Sequence, residues 1–402
     1  MAKPEIRLKG FEGEWESHSL EECLSISNER NTNKKFGRED VLSVSDDFGV
    51  VNQIKLLGRS YAGADLSGYK LVRPGQIIYT KSPLRFKPFG IIKENQKEIG
   101  IVSVLYAVYN VSDNLNPSFV DLYFAPSYRT NNYLLPLISK GAKNTINISD
   151  ENALKGTFHF PIVDEQKSIT EYFKSLDSML QSTTKKIESL KQMKSACLVS
   201  MFPQVGETTP RVRFKGFEGE WAMESAGHLF NTFNERNRPD LPVLSANQDI
   251  RGMAPRNDIG YQISHDRSNE VTYKVVRPGQ FVIHLRSFQG GFAHSSVLGI
   301  TSPAYTVFGF KNFQEHDDYF WKIIFMSKEF IKSLETITYG IRDGKSISFT
   351  EFSEMKFLYP SKDEQQRIAS YFRSLDKQIS LHEKQLEKLK QIKAACLDKM
   401  FV

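Results

Sequence analysis

KGFEGEW at Lys9–Trp15 is spelled again at Lys215–Trp221, 206 positions later, and Arg7 upstream of it is answered by Arg213. A heptapeptide repeated letter for letter in a chain with no low-complexity bias marks an internal duplication, and a duplication decides the architecture before any element is assigned. The rest of the chain follows the same period. Asn28-Glu29-Arg30-Asn31 returns as Asn234-Glu235-Arg236-Asn237. Tyr69-Lys70-Leu71-Val72-Arg73-Pro74-Gly75-Gln76 returns as Tyr273-Lys274-Val275-Val276-Arg277-Pro278-Gly279-Gln280, and Gly100-Ile101-Val102-Ser103 as Gly299-Ile300-Thr301-Ser302. The longest match pairs Asp164–Phe202 with Asp363–Phe401 at an offset of 199, so the second copy has lost seven residues within its first hundred.

Each copy has two parts. The first mixes short apolar runs with turn residues. Leu71-Val72, then Arg73-Pro74-Gly75, then Gln76-Ile77-Ile78-Tyr79 reads as strand, turn, strand, as does its partner at Val275–Ile283. Few stretches of helical period interrupt these parts, so a mixed α/β domain dominated by a twisted sheet is expected. The second part is one long helix. Apolar residues fall at Ile169, Phe173, Leu176, Leu180, Ile187 and Leu190 in the first copy, and at Ile368, Phe372, Leu375, Ile379, Leu386 and Leu389 in the second. Alternating steps of four and three make a heptad seam. Thr183 and His382 form one polar layer in each seam. Lys194 and Lys393 interrupt it near the end, where splaying or snorkelling stems are expected. Asp164 and Asp363 are expected as N-caps. Such a seam needs a partner, and the other copy's helix, running antiparallel, is the expected one; 38 residues span roughly 57 Å.

The predicted boundaries are a first domain at 1–160, a helix at 161–203, a second domain at 204–359 and a second helix at 360–402. The 402 residues are 40% hydrophobic and 12% aromatic, as in ordinary globular chains. The three cysteines show no metal or disulfide spacing, which suits a reducing compartment. No apolar run approaches the roughly 20 residues of a membrane helix. The N-terminus has no signal-peptide core, so a cytoplasmic location and no membrane partner are expected. A net charge of +6 permits nucleic-acid binding without establishing it.

The helix that reads Asp-Glu-Gln…Tyr-Phe…Leu-Asp…Leu-Lys-Gln-x-Lys-x-Ala-Cys-Leu…Met-Phe, used twice and each time after a variable domain of 150–160 residues, resembles the specificity subunit of Type I restriction-modification systems. Gly-Phe-Glu-Gly-Glu-Trp and Val-Arg-Pro-Gly-Gln are similar to elements common in that family. The resemblance covers essentially the whole chain, and the order of parts, used twice, is its most specific feature. It implies two target recognition domains, each reading half of a bipartite site in double-stranded DNA, separated by two long antiparallel coiled-coil helices in a pseudo-twofold arrangement. It also implies docking of two methyltransferase subunits and of restriction subunits. The subunit itself would catalyse nothing and bind no cofactor. AdoMet would belong to the methyltransferase, and ATP and Mg to the restriction subunit. The target would be an asymmetric site directing adenine methylation and, on unmodified DNA, cleavage.

DNA contacts are expected where the copies differ while staying polar, basic or aromatic, since the shared segments serve both copies whatever they read. The turn after Arg-Pro-Gly offers Lys81, Ser82, Arg85 and Lys87 in the first copy, and Arg286, Ser287 and Gln289 in the second. The segment before the last strand offers Lys140, Lys143 and Asn144 against Tyr339, Arg342 and Lys345. The segment before the Arg-Pro-Gly turn offers Lys55, Arg59 and Tyr61 against Arg251, Arg256 and His265. Exposed apolar neighbours of the seam, among them Tyr172, Met179, Met193, Tyr371 and Ile392, are expected to dock the methyltransferase.

Two other readings compete. Asp343 with Glu354 and Lys356 has the outline of a metal-dependent nuclease motif, although short patterns of this kind are common by chance. A coiled-coil scaffold that reads no DNA would not need two divergent domains. Ser302-Pro303-Ala304-Tyr305 lacks the second proline and the amide or carboxylate of an amino-methyltransferase tetrad, and no P-loop or zinc spacing is present.

Overall fold

A computed structural model describes residues 2–140, 146–247, 252–259, 267–284, 291–337 and 347–402. The chain divides into two compact units, residues 1–185 with 384–402, and residues 186–383. Both long helices, Val163–Ser200 and Lys362–Lys399, cross that division, so each unit holds one half of each helix.

The duplication extends to strand register. In the first unit Ile77–Thr80 pairs antiparallel with Ala107–Val111 and with Ile91–Glu94, Ile77 facing Tyr109 and Glu94. In the second, Phe281–Ile283 occupies the same place, Phe281 facing Phe308 and His294. Glu16 opposite Phe160 is matched by Ala222 opposite Tyr359, and Lys70 opposite Val102 by Lys274 opposite Thr301. Outer strands differ. The second unit gathers six strands into one sheet, with Gly252–Pro255 parallel to Phe292–Ser295, whereas the corresponding hairpin Leu42–Ser45/Gly49–Asn52 stands apart from the first unit's four-stranded sheet.

The shared motifs are joints. Arg7 inserts its guanidinium into the turn that KGFEGEW makes, donating to the carbonyls of Glu12 at 3.0 Å and Gly13 at 2.6 Å. Gly10 and Gly13 hold φ of +96° and +87°, a region that residues with a Cβ avoid. The other edge of the guanidinium grips Glu165 through two 2.7 Å bonds. Trp15 then lies buried against Phe119 and Phe401. Gln166, the next residue of the Asp-Glu-Gln motif, donates to the Pro161 carbonyl at 2.8 Å and accepts from the Asn116 amide at 2.8 Å. Arg213, Glu364, Trp221 and Gln365 repeat these roles. In the Arg-Pro-Gly-Gln turns, Gly75 and Gly279 have φ of +84° and +83°. The Gln76 and Gln280 amides accept from the Arg73 and Arg277 N–H groups at 2.7 and 2.8 Å. Arg73 and Arg277 also pair with Glu29 and Glu235, which accounts for the repeated Asn-Glu-Arg-Asn.

The helices are antiparallel, as their contacts within each unit show. In the first unit Tyr172 meets Cys396 and Asp177 meets Lys393. In the second, Lys191 meets Glu383, Lys194 meets Asp376 and Cys197 meets Tyr371. Ile169, Phe173, Leu176, Thr183, Ile187, Leu190, Ile368, Phe372, Leu375, Ile379 and Leu389 are buried, and Leu180, His382 and Leu386 are half-buried. The fold is the expected tandem of two sheet-containing domains with two long antiparallel helices.

Three details differ from the sequence reading. The helices start one residue earlier than Asp164 and Asp363, which sit inside the first turn where their charge faces the free N–H groups. The first turns of each seam are part of the domain cores: Ile169 and Phe173 share a cluster with Trp15, Tyr109 and Phe401. Lys194 and Lys393 do not splay the helices, because each is held 2.5 Å from an aspartate of the opposing helix.

Candidate nucleic-acid interface

The first-copy turn after Arg-Pro-Gly is described in full, and it separates the four candidates. Ser82 and Arg85 are exposed. Lys81 leans back to Asp150 at 2.6 Å, where Lys70 also binds at 2.6 Å. Burial works to raise the Asp150 carboxyl, but hydrogen bonds from the two lysines outweigh it and hold the group below the usual carboxylate range. Lys87 is no surface residue: it is 1% exposed. Its ammonium donates to Asp46 at 2.7 Å, to the Ala125 carbonyl at 2.9 Å and to the Phe124 carbonyl at 3.2 Å. Those carbonyls end the helix Pro117–Phe124, where a cation suits the negative end of the dipole. Burial pushes the Lys87 pKa down despite the aspartate. The expectation that Lys87 contacts DNA is therefore withdrawn, because all three of its protons are already held inside the protein.

Between these feet, the Leu84 N–H donates to the Lys87 carbonyl at 3.0 Å, closing a tight turn. Asn131 donates to the Phe86 carbonyl at 3.1 Å. The Arg85 guanidinium lies 5.1 Å from the centre of the Phe86 ring. Phe86 is 70% exposed and Leu84 43%. Sequence reasoning centred on charge passed over both, because alternation and spacing carry no mark of an apolar side chain turned outward.

The remaining candidates divide by position. Lys55 and Arg59 are exposed, and Arg59 stacks 4.6 Å from the centre of the exposed Tyr61 ring. Arg256 opens a short 3₁₀ turn and donates from Nε to Ser245 at 3.2 Å. Lys140 closes the two-residue strand Ser139–Lys140. Lys143, Asn144, Arg251, His265, Arg286, Ser287, Gln289, Tyr339, Arg342 and Lys345 lie outside the described residues. So does Asp343 of the nuclease pattern, while Glu354 ends one helix and Lys356 begins the next strand. No cluster of metal-ligating side chains occurs among the described residues. No helix among them is long and apolar enough to cross a membrane. The Ser302–Tyr305 tetrad is a turn, closed by the Tyr305 N–H on the Ser302 carbonyl at 3.1 Å.

Residues 222–391 match the family described as the Type I restriction modification DNA specificity domain. The match lies within the second copy. The first copy repeats the motifs of the matched segment and keeps the register of its shared strands. The Type I restriction-modification S subunit from M. genitalium shares the fold, with a TM-score of 0.55 at 13% identity over 100% of this chain and 99% of that one. The HsdS subunit from Thermoanaerobacter tengcongensis aligns over 96% of both chains, with 16% identity and a TM-score of 0.49. Among curated proteins none matches the sequence.

Proposed function

We propose that this chain reads a bipartite, asymmetric DNA sequence, one half with each specificity domain, and directs adenine methylation and DNA cleavage carried out by partner subunits in the cytoplasm. It contributes no catalytic group and no cofactor of its own. Two methyltransferase subunits, which supply AdoMet chemistry, dock on its helices, and restriction subunits join that assembly with ATP and Mg.

One observation carries this reading: the two copies keep the same strand register and the same ion-paired joints while the turn between them changes. Thr80-Lys81-Ser82-Pro83-Leu84-Arg85-Phe86 follows the strand at Ile77 in one copy, and His284-Leu285-Arg286-Ser287-Phe288-Gln289-Gly290 follows the strand at Phe281 in the other. Constant framework with divergent polar and aromatic turns is what two readers of different sequences require, since phosphate contacts position a protein and base-edge contacts specify the sequence. A pure spacer gains nothing from that divergence.

The test is a turn exchange. Replacing Ser82–Phe86 with the corresponding second-copy residues, in a chain expressed with its methyltransferase, is expected to change one half of the methylated sequence and leave the other half as it was. Loss or change of both halves together refutes independent reading by two domains.

A further inference from the structure

The tip Leu84-Arg85-Phe86 combines three properties that rarely occur together. It is apolar, it is exposed, and it is braced. An apolar side chain on a pliable loop folds down onto the surface, because removing it from water is favourable. Here that collapse is blocked at both feet. Lys81 is tied to Asp150 and Lys87 to Asp46 and the end of the Pro117–Phe124 helix. Pro83 fixes one backbone torsion, and Asn131 holds the Phe86 carbonyl. Two lysines that the sequence offers as DNA contacts are in fact the braces. What they present is two exposed apolar side chains with a guanidinium over the ring of Phe86, and Arg85 has no carboxylate partner among the described residues.

We propose that this tip is a wedge that enters the base stack of the half-site read by the first domain, with Phe86 and Leu84 against an opened base step and Arg85 on the adjoining phosphate. The inference rests on the DNA-reading function proposed above. Inserted Phe and Leu side chains are an established way for proteins to unstack and kink a duplex. An aromatic face stacks on any base. An arginine next to the two apolar groups, with no carboxylate partner among the described residues, complements a phosphate backbone. The Arg85 guanidinium already lies over the Phe86 ring, 5.1 Å from its centre, before DNA arrives, so less ordering remains to be done on binding.

The test uses the whole chain complexed with its methyltransferase. The duplexes carry the mapped target with 2-aminopurine placed at successive positions other than the methylated adenine. The wild-type complex is expected to raise fluorescence at one step within the half-site assigned to the first domain. Phe86→Ala, and Leu84→Ala with Phe86→Ala, are expected to abolish that rise and weaken target binding about tenfold, with the salt dependence of binding kept. Arg85→Ala is expected to keep the rise and flatten the salt dependence by about one phosphate contact. Both apolar side chains are exposed, so the variants should unfold at the wild-type denaturant midpoint, which is measured alongside. Survival of the fluorescence rise in Phe86→Ala overturns the wedge while leaving the DNA-reading function intact. Loss of methyltransferase co-purification in that variant, with unstacking retained, reassigns the tip to a protein contact. A wild-type complex with no preference for any split target removes the function itself.

Discussion

Arg213 grips Glu364 with two parallel hydrogen bonds of 2.7 Å, and Arg7 grips Glu165 in the same way. Both glutamates are 1% exposed. The fork fits a guanidinium and not an ammonium, and its loss leaves a carboxylate buried with no counter-ion. Arg7→Ala or Arg213→Ala should therefore destabilise its own unit by about 3 kcal/mol. Lysine at either position should restore only part of that. Urea unfolding followed separately by Trp15 and Trp221 fluorescence, in chains keeping one of these tryptophans and lacking Trp321, checks it. Equal stability of alanine variant and parent would refute the role of the joint.

Lys194 with Asp376 and Lys393 with Asp177 are the same helix-to-helix ion pair in the two units. All four side chains remain between 29% and 52% exposed, so each pair should contribute only about 1 kcal/mol. A double-mutant cycle is expected to show Lys194→Asp and Asp376→Lys each destabilising, with the double variant recovering most of the loss. Additivity of the two changes would contradict the pairing.

Asp150 gives the first unit an acid-sensitive brace. Its folded carboxyl titrates below the unfolded value near 4, so its contribution is complete above that pH and is lost as the pH falls through the folded value. Asp150→Asn should lower stability at neutral pH by about 2 kcal/mol, since it removes two charged hydrogen bonds. It should also flatten the acid limb of the stability curve below about pH 4. Denaturant midpoints from pH 2 to 7 check both effects, and an unchanged acid limb would show that the lysines brace nothing there.

The proposed docking of a methyltransferase calls for apolar groups that the fold leaves outside. Of the five candidates, Met179 and Met193 are 52% and 47% exposed. Tyr172 and Tyr371 are half-buried and bonded to Cys396 and Cys197, and Ile392 packs against the first core. Met193→Glu is therefore expected to reduce co-purification with the methyltransferase at least tenfold while the unfolding midpoint stays put. Retention of full co-purification would exclude that face.

The duplication, the antiparallel helices and most of the seam are legible in the sequence because they depend on spacing that the chain states twice. The function of the repeated motifs is less so. Glu165 follows a proline and opens a helix, which reads as a dipole contact, yet its partner Arg7 lies 158 residues away. Side-chain direction is the least legible of all. Lys81, Arg85 and Lys87 share one short basic turn, and only Arg85 faces outward. What turns Lys87 inward is a pair of carbonyls at a helix end and an aspartate 41 residues earlier, which exist as a site only once the chain has folded.

The central claim is that two domains read two different halves of one split DNA target. Methylome sequencing of a host that expresses this chain with its methyltransferase, and no other, measures it directly. The expected result is a single non-palindromic motif with two specified blocks flanking an unspecified gap, and adenine modified in each block. A continuous motif, or one whose two blocks are reverse complements, would contradict it.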